Sequence, residues 1–251
     1  MSVLILLMQR NPVIVALDVS TAEQALRLAG QLKEVVGAFK IGSELFTTAG
    51  PDIVRQIRGM GGSVFLDLKF HDIPNTVAKA VASAVQLDVQ MLTVHTSGGP
   101  AMLEAAEKSA QVTAGKLGRT PPLVLGVTVL TSFDDHELNQ TGVGATAAEQ
   151  VERLARLAIE AGLRGLVCSP LEVAMLRRIL PNQMQLVTPG IRAATDAAND
   201  QKRTMSPSEA LRAGASWLVV GRPIYAAENP VVAAKSILAS LDAARTTEES
   251  A

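Results

Sequence analysis

Eight short runs of apolar and β-branched residues, most of them followed by a stretch of helical periodicity, constrain this chain more than any other feature. The runs cover residues 13–18, 38–42, 63–69, 91–95, 123–130, 165–169, 185–188 and 217–221. Amphipathic segments lie between them. In 21–36, Ala25, Leu28, Leu32 and Val35 recur at helical spacing. In 147–161, Val151, Leu154, Ala155, Ala158 and Ile159 do the same, with Glu and Arg on the other side. Pro51, Pro74, Pro100, Pro170, Pro207 and Pro230 all stand near expected helix starts, where a missing N–H costs little. Strands alternating with helices imply a parallel sheet. Eight such units in 251 residues imply a closed (β/α)8 TIM barrel, an α/β fold built as one domain over 1–251. A doubly wound open sheet is the alternative, but no Gly-x-Gly-x-x-Gly follows the first run.

Composition narrows the function classes. A net charge of −1 gives no global basic field, and 3% aromatic residues offer little for base stacking, so nucleic acid is not an expected partner. Cys168 is the only cysteine, which excludes an intrachain disulfide and a zinc site built on cysteines, and fits the reducing cytoplasm. Residues 1–11 read as a short extension. Its apolar part, 3–8, is too short to span a bilayer and has no basic residue before it; it is expected to cover the barrel bottom or add an edge. No later apolar run reaches spanning length, so no membrane is expected. The polar tail, 245–251, is expected to fray.

A barrel organises the polar residues, because chemistry in this fold sits where strands end and the following loops begin. Asp18 ends run one and Lys40 run two. Asp67 and Lys69 end run three, with Asp72 just beyond, and His95 ends run four. Thr131 and Ser132 follow run five, Arg192 run seven and Arg222 run eight. Asp67 and Lys69 alternate with Leu66 and Leu68, so the two charges share one strand face. Desolvating them there is costly unless they pair. Read alone, they fit either a structural ion pair or a catalytic one. Runs seven and eight lead into Thr188-Pro189-Gly190-Ile191-Arg192 and Gly221-Arg222-Pro223-Ile224. Those two loops are the usual phosphate grip of the fold, where glycine admits an anion to backbone N–H groups and arginine adds bidentate bonds. The polar, aperiodic stretch 193–204 reads as a lid whose Gln201 reaches a phosphate on closure, or else as surface disorder.

These residues carry a resemblance. Asp67-Leu68-Lys69-Phe70-His71-Asp72-Ile73-Pro74-Asn75-Thr76 resembles the signature of the orotidine 5′-phosphate decarboxylases of bacterial type. So do Ala16-Leu17-Asp18, Phe39-Lys40-Ile41-Gly42, Val94-His95, residues 127–132, and the Gly190 and Gly221 loops, in the expected order. The resemblance implies conversion of orotidine 5′-phosphate to UMP and CO2, the last step of de novo pyrimidine synthesis, without metal or organic cofactor. It implies that Lys69 protonates C6 of the pyrimidine, flanked by Asp67 and by Asp72 from the second subunit of a homodimer, with Lys40 in the same network. Asp18 and Thr76, the latter also from the partner, are expected on the ribose hydroxyls. Ser132 beside Thr131 is expected on the pyrimidine. Arg192, Gln201, Gly221 and Arg222, with Pro189 beside them, are expected at the 5′-phosphate.

Other readings bear on the same residues. Asp18 fits a helix cap with Ser20 and Thr21 as well as a ligand contact. His71 is expected to point away from Lys69, His95 to make a supporting contact, and His136 to sit solvated in the acidic loop 134–137. Cys168 reads as a small core residue. Two rival functions remain. One is a magnesium-dependent sugar-phosphate decarboxylase or isomerase of the same barrel type, in which the Lys40 ammonium would repel the cation. The other is a non-catalytic barrel that binds a phosphorylated ligand and needs only the two Gly-Arg loops.

Overall fold

The computed structural model of the chain describes residues 11–192 and 204–249, with side chains as far as Ala243. The expected runs form strands β1 (Val13–Ala16), β2 (Ala38–Gly42), β3 (Val64–Phe70), β4 (Met91–His95), β5 (Leu123–Val127), β6 (Gly165–Val167), β7 (Gln185–Thr188) and β8 (Trp217–Val220). Each pairs in parallel with the next, and β8 returns to β1 with Leu218 opposite Val13, closing the barrel. Strands one and five end earlier than the apolar pattern suggests. After Val127 the chain leaves the ladder, and Thr128 is held to the Val167 carbonyl by its N–H at 3.4 Å and its hydroxyl at 3.3 Å.

Around the sheet lie α1 (Ala22–Leu32), α2 (Ser43–Ala49), α3 (Asp52–Gly59), α4 (Pro74–Gln86), α5 (Pro100–Lys116), α6 (Asp135–Gln140), α7 (Ala147–Glu160), α8 (Val173–Ile179), α9 (Pro207–Arg212), α10 (Arg222–Tyr225) and α11 (Pro230–Glu249). Pro74, Pro100, Pro207 and Pro230 are first residues of α4, α5, α9 and α11. Pro170 opens a 3-10 turn and Pro51 precedes α3. The expected loop 134–137 is instead capped helix. Asp134 accepts from the Glu137 N–H while Glu137 reaches back to the Asp134 N–H, which satisfies two amides of a helix start at once. Helix α11 runs through Glu249.

Period-two alternation splits each strand between two cores. Ile14, Ala16, Ala38, Phe65, Met91, Leu125, Val187, Trp217 and Val219 form a buried cluster inside the barrel. Their strand neighbours, such as Val15, Phe39, Leu66 and Leu92, pack outward against the helices. The next inward positions after the inner apolar layer are Asp18, Lys40, Asp67 and Thr93, so a polar layer lies on an apolar floor. The expected barrel-bottom cover, 3–8, lies outside the described residues. Among the described residues, no helix is long and apolar enough to cross a membrane.

Candidate active site

A cavity of about 630 Å³ opens at the strand C-termini. Its floor includes Ala16, Phe65 and Val219 from the inner layer. Its wall brings together Asp18, Lys40, Asp67 and Lys69 with Thr131, Pro189, Arg192, Gly221 and Arg222, the last two beside Asp18 because β8 pairs with β1. Sequence separations of more than 200 residues are bridged because every one of these positions lies near or just beyond the C-terminal end of a barrel strand.

The charged groups alternate in sign. Lys69 Nζ lies 2.9 Å from both carboxylate oxygens of Asp67. Lys40 Nζ lies 2.9 Å from Asp18 Oδ1 and 3.9 Å from Asp67 Oδ2. The Asp67 and Lys40 side chains are each 12% exposed, whereas Asp18 is 48% exposed at the rim. Each ammonium offsets the desolvation of a neighbouring carboxylate. Gly42 makes room for this, because a Cβ there would meet Lys40 Nζ at 3.2 Å. Asp18 does not cap α1; that cap is Thr21, whose hydroxyl accepts from the Gln24 N–H.

In the loop after β7, Gly190 has φ +80, a conformation glycine adopts freely and other residues do not. The Arg192 N–H donates to the Met205 carbonyl at 3.1 Å, and the Met205 N–H to the Gly190 carbonyl at 3.3 Å. The two ends of the segment that contains Gln201 are therefore tied together at the cavity rim, while Gln201 itself lies outside the described residues.

Asp72, Thr76 and Ser132 are placed differently. Ser132 is exposed next to Thr131. Residues 71–73 and the first helical residues of α4, 74–76, are all exposed, with Ile73 66% exposed. Asp72 Oδ1 accepts from the Ile73 N–H at 2.6 Å rather than facing Lys69 of its own chain. The residues that sequence reasoning missed are Glu44 and Tyr225, which line the cavity, and Thr93, which bonds the Asp67 carboxylate. Nothing in the sequence marks Thr93, since a β-branched residue in mid-strand is ordinary.

His95 stacks obliquely on His71, with ring centroids 5.4 Å apart. Burial, followed by the nearby His71 and Lys69, lowers its pKa below the ordinary 6.5, against a smaller opposing effect of Asp67. The folded state therefore favours the neutral ring. Stability tied to His95 is full above pH 6.5 and is lost as pH falls from there through the lowered folded value. The urea midpoint of a His95→Asn variant is expected to drop less between pH 7 and pH 5 than that of the wild type; an equal drop in both would show that His95 does not contribute.

Among the described residues, no group of three or more His, Cys, Asp or Glu is arranged to hold a metal ion. The fold and the site define a class of protein: a (β/α)8 barrel in whose cavity ammonium and carboxylate side chains alternate on the first three strand ends. A sequence profile for the orotidine 5'-phosphate decarboxylase / HUMPS family matches residues 11–237. A protein of Opitutus terrae named orotidine 5'-phosphate decarboxylase is 52% identical over 228 residues, covering 91% of this chain and 97% of its own. Its namesake from Actinobacillus succinogenes is 50% identical over 231 residues, covering 92% and 98%. The crystal structure of orotidine 5'-phosphate decarboxylase from Lactobacillus acidophilus superposes with a TM-score of 0.82 at 37% identity, covering 92% of this chain and 99% of that one. The chain belongs to the orotidine 5'-phosphate decarboxylase / HUMPS family.

Proposed function

We propose that this chain converts orotidine 5′-phosphate to UMP and CO2 with its own side chains alone. One observation carries the reading: the Lys69 ammonium is held 2.9 Å from both Asp67 oxygens at the mouth of the barrel. When the C6–carboxylate bond breaks, the electron pair stays on C6, where no ring carbonyl stabilises it well by resonance. A fixed ammonium beside C6 stabilises that charge and then donates the proton that completes UMP. Asp67 pairs with the amine and crowds the substrate carboxylate. Repulsion between two like charges at ~4 Å is worth about 4 kcal/mol at an effective dielectric of 20. Enzymes lower barriers by roughly 8–23 kcal/mol, so repulsion alone is too small and Lys69 supplies a larger share.

The phosphate sits against Arg192, Arg222 and the Gly190 and Gly221 backbones, with Pro189 beside them. Gln201 completes this grip from the segment tied at the rim, and phosphate binding energy helps to order the site. Thr131 and Ser132 face the pyrimidine, and Asp18 the ribose. Two subunits pair through the exposed segment 71–76 at the start of α4, so that the partner subunit's Asp72 and Thr76 complete each site. The single buried cysteine suits a cytoplasmic protein.

A magnesium-dependent reaction of the sister type fits less well, because Lys40 Nζ occupies the space between Asp18 and Asp67. The reading is tested by following the absorbance of orotidine 5′-phosphate with purified protein, with and without EDTA. Turnover that chelator leaves unchanged supports it; chelator-sensitive turnover, or UMP binding with no turnover, sinks it. Arg222→Ala removes charge-assisted bonds worth about 1.5–3 kcal/mol, so KM should rise about 10- to 100-fold with kcat less affected. A KM unchanged in this variant would place the phosphate elsewhere.

A further inference from the structure

Strand β3 does not run straight into the site. Leu66 pairs with Leu92, and the next pair is Phe70 with Val94. Three residues of β3, 67–69, therefore face a single residue of β4, Thr93. Such a bulge withdraws backbone groups from the ladder and re-aims side chains. Lys69 lies within it at φ +50, a left-handed conformation that is unfavourable for a lysine. A residue in that state persists only where its surroundings fix it.

Thr93 does so with one hydroxyl. Its Oγ1 accepts the Lys69 backbone N–H at 2.8 Å and donates to Asp67 Oδ1 at 3.0 Å. Thr93 is fully buried, and its neighbours Met91, Leu92 and Val94 all belong to apolar cores. A valine would fill the same space. The hydroxyl is tolerated there because both its donor and its acceptor capacity are used. It satisfies the bulged amide and turns the Asp67 carboxylate so that both oxygens bracket the Lys69 amine.

We propose that Thr93 is a positioning residue: its hydroxyl holds the left-handed Lys69 backbone and the Asp67 carboxylate together, and so sets where the Lys69 amine meets the reacting carbon. This inference rests on the function proposed above. Thr93 touches no substrate itself, and its contribution lies in geometry, where a displacement of about 1 Å can cost 100-fold in rate.

The test compares Thr93→Val, which keeps the shape, with Thr93→Ser, which keeps the hydroxyl. Thr93→Val should lower kcat about 10- to 100-fold with KM within about threefold of wild type, as expected when only the orientation of reacting groups is lost. Thr93→Ser should stay within about threefold of wild type in both constants. If Thr93→Val does not fold, Thr93→Ala against Thr93→Ser makes the same comparison. A folded Thr93→Val with wild-type kcat overturns the inference. So does equal loss in the serine and valine variants, which would mean that the methyl group matters instead. A crystal structure of Thr93→Val decides the question without substrate: Lys69 should leave its positive φ and its amine should move away from one Asp67 oxygen. An unchanged Lys69 there refutes the positioning role whether or not the wild type decarboxylates orotidine 5′-phosphate. A wild type with no turnover would count against the proposed function alone.

Discussion

Lys69→Ala should lower kcat by about four orders of magnitude, or roughly 5.4 kcal/mol of barrier, while the barrel stays folded. General acid catalysis by a placed side chain is worth about 10²–10⁴ and electrostatic stabilisation of a developing charge about 10²–10³, and the two overlap in one group. The fold should survive because the cluster keeps other pairs. Asp67 retains its bond from the Thr93 hydroxyl and the Lys40 ammonium at 3.9 Å. Alanine also suffers no more than lysine at φ +50. Substrate binding should weaken far less than turnover, since the proposed phosphate grip lies on the loops after β7 and β8 rather than on β3, which carries Lys69. Single-turnover assays on a variant with an intact melting transition check this. Turnover within tenfold of wild type would remove Lys69 from the chemistry.

The second large effect concerns Asp72. Asp72→Ala alone should lose about 100-fold or more in turnover, as for a charged group beside the reacting amine. Mixed and refolded together in equal amounts, Lys69→Ala and Asp72→Ala chains should recover about a quarter of wild-type turnover. Half of the resulting dimers are hybrids, and each hybrid has one site that joins a native Lys69 to a native Asp72 of the partner. The structure motivates this directly, because Asp72 lies on an exposed turn and accepts from the Ile73 N–H rather than pairing with Lys69. No recovery on mixing would mean that Asp72 serves its own subunit or none.

The fold was legible because strand and helix periods differ and both are written in apolar residues. Every run gave a strand, and proline marked the helix starts that it can tolerate. Legibility failed at ends. Val129 and Leu130 continue the apolar pattern past Val127, but no neighbouring strand extends that far with them. At the site, the order of charges along the strand ends was readable, because Asp18, Lys40 and Asp67 each fall two residues beyond an inner apolar residue. The backbone of Lys69 was not. Simple alternation places Asp67 and Lys69 side by side on a straight strand, whereas a bulge and a left-handed residue bring them together. Register shifts depend on the opposing strand, and a single sequence carries no pairing information to reveal them.

The barrel seam has a consequence for how the protein acquires its chemistry. Asp18, Lys40 and Asp67 come from three consecutive strands, so they can meet in a partly formed sheet. Arg222 reaches them only when Leu218 settles opposite Val13, a contact between residues 205 positions apart (218 minus 13). Distant pairings of this kind form late, because closing a long loop costs entropy before any contact repays it. Refolding chains should therefore gain affinity for the nucleotide's phosphate only with the last kinetic phase, after the ammonium–carboxylate cluster has already assembled.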